Sequence, residues 1–240
     1  MLASQARRRV YELSLQDCSQ VLSSLSKMKV KDLALLCRVQ ERVINEGAET
    51  CTPEGVVNLM TAFARFGTRS TSRADVWPVL ADELALRITQ GSRISRTDQL
   101  ASLMSYSFSH IGSAHDGLFS AVSQALCADD PSDVLPLSQV IRYVKACSRV
   151  QFRAIPTLSM CAQSIRSSQE DMEKLSHQDI LELFTGLGKL GVEVKELNTE
   201  LTRRGISIPE SSVTWYRQAP PNNVEKLSRQ SSLRRRKWTW

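Results

Sequence analysis

One stretch of this chain is written, with variations, five times. Residues 175–191 read Leu-Ser-His-Gln-Asp-Ile-Leu-Glu-Leu-Phe-Thr-Gly-Leu-Gly-Lys-Leu-Gly. Ser176 offers a hydroxyl to the unpaired amides of a helix start, and Asp179 stands three residues on, in the first turn. Ile180, Leu183, Phe184 and Leu187 then follow at i, i+3, i+4 and i+7, which gathers them into one apolar helical stripe. Gly191 supplies the terminator.

Aligned on the capping position, the chain repeats at Ser14, Thr52, Ser95, Pro136 and Ser176, with spacings of 38, 43, 41 and 40 residues. Ten residues after each cap stands a small residue (Ser24, Ala62, Ser105, Ala146, Gly186), and twelve after stands another (Ser26, Ala64, Ser107, Ser148, Gly188). Seven and eight after, the positions are mostly apolar: Val21-Leu22, Leu59-Met60, Ser102-Leu103, Tyr143-Val144 and Leu183-Phe184. The small positions let neighbouring helices approach closely. A period near 40 in helical phase is the mark of stacked helix hairpins, because one hairpin cannot hide its own stripe and several stacked ones can. The expected fold is all-α, an α-solenoid of about five helix-hairpin repeats spanning 13–205.

Each repeat is expected to pair two helices. The first pairs a helix near 15–28 with one near 32–45 whose stripe is Leu33, Leu36, Val39 or Gln40, and Val43. The second starts with Pro53 at the first helical position, where its missing N–H costs nothing. Its stripes are Val56, Leu59, Met60 and Phe63, then Val76, Val79, Leu80 and Leu84. The third runs from Ser95 to about Ile111 and continues with Leu118, Val122 and Leu126. The fourth follows a Pro- and Asp-containing loop at 128–133 and carries Val140, Val144 and Cys147, then Leu158, Cys161 and Ile165. The fifth follows a charged link at 167–174 and closes with Val192, Leu197 and Leu201, ending at Arg203-Arg204-Gly205. With only 10 Gly and 8 Pro and no long alternating runs of Val, Ile and Thr, an all-β reading is weak. No apolar run approaches the ~18 residues of a membrane span, so none is expected.

The two ends differ from the body. Residues 1–12 form a basic N-terminal segment with Arg7, Arg8 and Arg9 and no acid before Glu12. That composition fits a mitochondrial or plastid targeting segment and equally an ordinary basic N-terminus. From residue 206 the helical rhythm stops. The segment 206–240 contains Pro209, Pro220 and Pro221 and ends Arg234-Arg235-Arg236-Lys237-Trp238-Thr239-Trp240, an extended basic tail. The net charge is +6 for the whole chain; the tail carries +5 and the three N-terminal arginines +3, which leaves −2 for residues 10–205. The ends are therefore the expected contacts for a polyanion. Arg7, Arg8, Arg9, Arg229, Arg234, Arg235, Arg236 and Lys237 would meet phosphates, and Trp238 and Trp240 would stack on bases or fill a protein pocket.

A cation also recurs thirteen residues after the cap, at Lys27, Arg65, Arg149 and Lys189, with Phe108 in the third repeat. Two readings compete: a ladder facing a phosphate chain, or cations that complement the C-terminal ends of helices. The faintly acidic body favours the second. The six cysteines form no Cys-x-x-Cys pair and no metal spacing with His110, His115 or His177, and Cys18, Cys147 and Cys161 lie on apolar stripes as small core residues. No phosphate loop, nucleophile elbow or zinc-protease motif is present. No enzyme activity, cofactor, metal or small-molecule substrate is expected.

Residues 175–192 resemble the helical repeats of the octotricopeptide and related heptatricopeptide class. So do 13–28, Leu-Ser-Leu-Gln-Asp-Cys-Ser-Gln-Val-Leu-Ser-Ser-Leu-Ser-Lys-Met, and 52–67. The likeness extends over roughly 13–205. Phe108 in place of the basic residue and Pro136 in place of the cap depart from the pattern. The resemblance implies an organellar protein, mitochondrial (matrix) or plastid, that acts on RNA or is embedded in a divergent mitochondrial ribosome. The nuclease-like domain of some relatives is not expected in the 35 residues after 205. The leading expectation is a structural ribosomal protein, a ribonucleoprotein component with RNA (rRNA in particular) at its basic ends and other protein subunits on its helical faces. A separate RNA-processing or stability factor, and a protein-only scaffold of a respiratory or ATP synthase complex, stand as alternatives.

Overall fold

The structure is a computed structural model that describes residues 2–67, 75–128 and 134–206, with side chains from Ser4 onward. Among the described residues every regular element is an α-helix: α1 (Leu2–Arg8), α2 (Leu15–Lys27), α3 (Leu33–Glu46), α4 (Pro53–Phe66), α5 (Val76–Thr89), α6 (Arg96–Ser109), α7 (Asp116–Ala128), α8 (Leu137–Val150), α9 (Ile155–Ser167), α10 (Gln169–Lys174), α11 (His177–Lys189) and α12 (Lys195–Arg203). The starts follow from the caps. Ser14, Ser95 and Ser176 each accept from the amide of an aspartate three residues on, and Thr52 accepts from Gly55. In each case a side-chain oxygen satisfies an amide with no helical partner, worth ~1 kcal/mol.

The helices group into two compact units. Among the described residues, the first contains α1 to α7 together with 149–152; the second contains 134–148 and 153–206. Within the first unit α2, α4 and α6 lie side by side in one layer. The helices α1, α3, α5 and α7 lie in a second layer, each against the next. The basic N-terminal segment takes part, since α1 packs on α3 and buries Ala6. The middle helix α4 has neighbours on both sides, so more of it is buried: Val56, Val57, Leu59, Met60, Ala62, Phe63 and Phe66. At roughly 1.5–3 kcal/mol for each large apolar side chain removed from water, this shared core is what makes the hairpins stack.

In the second unit α8 meets α11 and α9 meets α12. Lys145 Nζ donates to Glu182 Oε2 at 2.6 Å, and Arg166 faces Glu196 at 3.7 Å. Gly186 lies where a Cβ would come within 2.7 Å of Val144 Cγ1, which fits a helix pair held close by a small residue. The terminator works as the sequence suggests. Gly191 takes φ +73°, and the amide of Val192 reaches back to the carbonyl of Leu187 at 2.9 Å. Lys29 takes the same left-handed conformation, φ 57°, without being glycine.

The stripes are buried at Leu36, Val39 and Val43, at Leu80 and Leu84, at Leu118, Val122 and Leu126, and at Cys18, Cys147 and Cys161. Three places differ. Leu33 stands at the start of α3 and is 60 % exposed, its place in the core taken by Leu35. Trp77 is buried although the stripe reading passes over it. The charged link at 167–174 contains α10, which turns Met172 inward.

Candidate nucleic-acid interface

The predicted contact residues fall into two groups. Arg7 and Arg8 lie in the last turn of α1, and Arg9 follows it. Arg7 faces Asp32 at 3.8 Å, and Arg9 donates from Nε to Glu12 at 2.7 Å, so two of the three cations are partly neutralised; Arg8 is exposed. The other predicted contacts, Arg229, Arg234, Arg235, Arg236, Lys237, Trp238 and Trp240, lie outside the described residues.

The recurring cations stand in the last turns of α2, α4, α8 and α11, and α6 carries Phe108 at that place. Lys27 and Arg65 are exposed in the last turns of α2 and α4, and Arg65 Nη1 donates to Ser26 Oγ at 3.3 Å. The helices α2 and α4 each carry one acid, in the first turn (Asp17, Glu54), and one base, in the last. Arg149 places its guanidinium carbon 3.7 Å from the centre of the Phe108 ring. Phe108 and Arg149 are therefore partners, the aromatic exception being the surface on which the next cation rests. Phe108 remains 51 % exposed.

The turns after these helices are tied to their neighbours through backbone. Lys31 Nζ donates to the carbonyl of Phe66 at 2.6 Å, the amide of Gly112 to that of Arg149 at 2.9 Å, and Arg153 Nη2 to that of Lys189 at 3.4 Å. Each donor stands seventeen residues after its cap. It satisfies a carbonyl that the end of a helix leaves without a partner.

The histidines show more than the sequence suggests. His110 Nε2 lies 3.2 Å from Asp75 Oδ2 and His115 Nε2 lies 3.3 Å from Asp82 Oδ1. Tyr106 stacks on His110 at 4.4 Å between centroids and meets Trp77 and Phe119 edge-on at 6.0 Å. Burial, then Asp75 and Asp82, push the Tyr106 hydroxyl above its ordinary pKa. The thiols of Cys51 and Cys147 are raised by burial to about 11 and about 12, which keeps them protonated and unreactive at neutral pH. Among the described residues no group of three or more His, Cys, Asp or Glu is placed to hold a metal ion, and no helix is long and apolar enough to cross a membrane.

The sequence shows the recurring cations, but not that Lys29 and Lys31 join Lys27 and Arg65 at the same turn ends. The charge asymmetry is in the sequence, in where the single acid and base fall within α2 and α4, but averaging over residues 10–205 erases it. No protein-family model matches the chain, and no curated protein matches it in sequence.

Proposed function

We propose that the chain is a non-catalytic structural component of an organellar ribonucleoprotein, a mitochondrial ribosomal protein in the first instance. In this reading the five hairpins form one α-solenoid. Its helical faces dock on neighbouring protein subunits, and its basic ends contact RNA. The observation that carries the reading is the regularity of the polar contacts between hairpins. Ser23 with Asn58, Lys31 with Phe66, Arg65 with Ser26, Lys145 with Glu182 and Arg153 with Lys189 join residues 35 to 39 apart, one repeat length. A chain that spends its polar groups on linking one hairpin to the next is built as an array, and arrays offer extended surfaces for assembly.

The RNA part of the reading is tested at the tail. Binding of the full chain to a labelled RNA should weaken steeply with salt, because each lysine or arginine on a phosphate releases counterions. Deleting residues 230–240 removes four consecutive cations, 234–237. The slope of log affinity against log salt should then fall by about 3 if all four meet a single strand. An unchanged slope would count against the basic ends. Sedimentation of the native protein from organelles, with and without ribonuclease, separates the assemblies: a heavy particle that ribonuclease collapses fits the ribonucleoprotein. A heavy particle indifferent to ribonuclease fits the protein-only scaffold.

A further inference from the structure

We propose that the turn-side edge of the first unit, formed by Lys27, Lys29, Arg65 and the Arg149–Phe108 stack, binds single-stranded RNA. This rests on the RNA reading above but places the contact on the helical body rather than at the ends. Four observations converge on this edge. Lys27, Lys29 and Arg65 are all exposed, and Arg65 is brought beside the last turn of α2 by its bond to Ser26. Lys31, held against the end of α4 by its bond to Phe66, adds a fourth charge to the same cluster. Because α4 also packs on α6, the row continues to Phe108, over which Arg149 lies at 3.7 Å. Exposed apolar groups stand among the cations: Met28 at 57 %, Val30 at 43 % and Ile111 at 76 % exposure.

The acids at this edge are few. The carboxylate of Asp32 accepts from the amide of Leu35 and faces Arg7, that of Asp75 accepts from Trp77 and faces His110, and Asp116 opens α7. The other acids of α2, α4 and α6 are at the opposite ends of the helices, in the first turns: Asp17, Glu54 and Asp98. The edge is thus cationic on a body whose net charge is negative. Cations in a row with an aromatic face between them match a strand of phosphates and bases. An acidic peptide would use the charges alone, whereas a base can also pack on the part of Phe108 that remains exposed beside Arg149, so RNA is the better fit.

The test uses the full chain in two backgrounds, unaltered and with Arg229, Arg234, Arg235, Arg236 and Lys237 all replaced by Gln. The probe is a fluorescein-labelled 20-nucleotide oligouridylate, followed by anisotropy over a salt series. The triple variant Lys27→Gln, Lys29→Gln, Arg65→Gln is expected to weaken binding at least tenfold in both backgrounds and to lower the salt slope by about 2. Phe108→Ala is expected to weaken oligouridylate about tenfold and to leave binding of poly-glutamate unchanged. Thermal unfolding followed by circular dichroism checks that every variant is folded, and single substitutions replace the triple if it is not. Oligouridylate binding that ignores the edge substitutions overturns the proposal, and so does complete loss of binding once the tail is neutralised. In that last case the tail reading survives alone. Poly-glutamate bound as tightly as oligouridylate, with no effect of Phe108→Ala, would make the edge an acidic-protein site and overturn the choice of RNA. If the unaltered chain binds no RNA, both readings fail together.

Discussion

Arg204 Nη1 donates to the carbonyl of Leu175 at 2.7 Å, across the hairpin that begins at Ser176. Its Nη2 reaches the carbonyls of Met172 and Glu173 at 2.8 and 2.9 Å, and its Nε meets Glu200. The same tie occurs twice more. Arg42 donates to the carbonyls of Val10 and Leu13, with Glu46 on its Nε; Arg87 donates to those of Cys51, Ala48 and Glu49, with Glu83 on its Nε. In every case the second helix of a hairpin grips the linker that leads into the first. Ser164 of α9 does this for the linker into α8, accepting from the amide of Leu135 at 3.0 Å. Arg42, Ser164 and Arg204 all stand twenty-eight residues after their caps.

The guanidinium is suited to this because its planar fork presents several donors in fixed directions. Arg204→Lys keeps the charge but cannot serve four acceptors. The expected outcome is a loss of about 2 kcal/mol for Lys and about 3 kcal/mol for Ala, which leaves the carbonyls of Leu175, Met172 and Glu173 without this donor and Glu200 with Arg203 alone. Urea unfolding followed by circular dichroism measures both. A loss below about 0.5 kcal/mol for Ala would show that the linker needs no tie.

Glu200 makes the same cluster sensitive to acid. Hydrogen bonds from Arg203 and then Arg204 hold its carboxyl down to about 2, against burial, which works the other way. A carboxyl depressed in the folded state stabilises the fold above the ordinary value of 4.5, and this contribution drains away as pH falls from there towards about 2. Glu200→Gln should therefore be less stable than the unaltered chain at pH 7, and the difference should shrink between pH 4.5 and 2.5. Parallel unfolding curves over that range check it; a gap that does not narrow would place the stabilisation elsewhere.

The helices and their buried faces were legible because they depend on spacing alone. Ser14, Thr52, Ser95 and Ser176 cap helices, and Leu59, Met60, Phe63, Ile180 and Leu183 are buried where a period of 3.6 places them. The arginine ties were not legible. A cation in a helix reads as a surface residue, and Arg203-Arg204 read as a stop signal, although the side chain of Arg204 is only 11 % exposed. Met172 was hidden for a similar reason, since four of the six residues of α10 are charged. The recurrence of Lys27 and Arg65 was legible, but summing charge along the chain favoured the helix-end reading, and it hid that Lys29 and Lys31 stand at the same edge.

Gly186 marks the closest approach of α8 and α11. A Cβ there meets Val144 Cγ1 at 2.7 Å and Ser148 Oγ at 3.5 Å, so the two helices must separate or Val144 must turn. Alanine gains about 1 kcal/mol in helix propensity over glycine and should come out near neutral. Gly186→Val loses that compensation through its branched carbon and overfills the contact, for an expected cost of about 1–3 kcal/mol. Thermal unfolding of the two variants distinguishes packing from propensity, because propensity alone would make both more stable than the glycine.

Lys29 ties fold and edge together. At φ 57° it occupies the position that Gly91, Gly191 and Gly205 hold after α5, α11 and α12, and the amide of Val30 closes the same turn on the carbonyl of Leu25 at 2.9 Å. A side chain in this conformation costs about 1 kcal/mol that glycine avoids. Lys29→Gly should therefore raise stability by up to about 1 kcal/mol. If the exposed amine belongs to an RNA-binding edge, the same change should weaken oligouridylate binding two- to fivefold and lower the salt slope by about 0.7. A position that gives up stability to hold a charge is one where the charge is used. Higher stability with unchanged RNA affinity would instead leave Lys29 as a strained turn residue and remove one support of the edge.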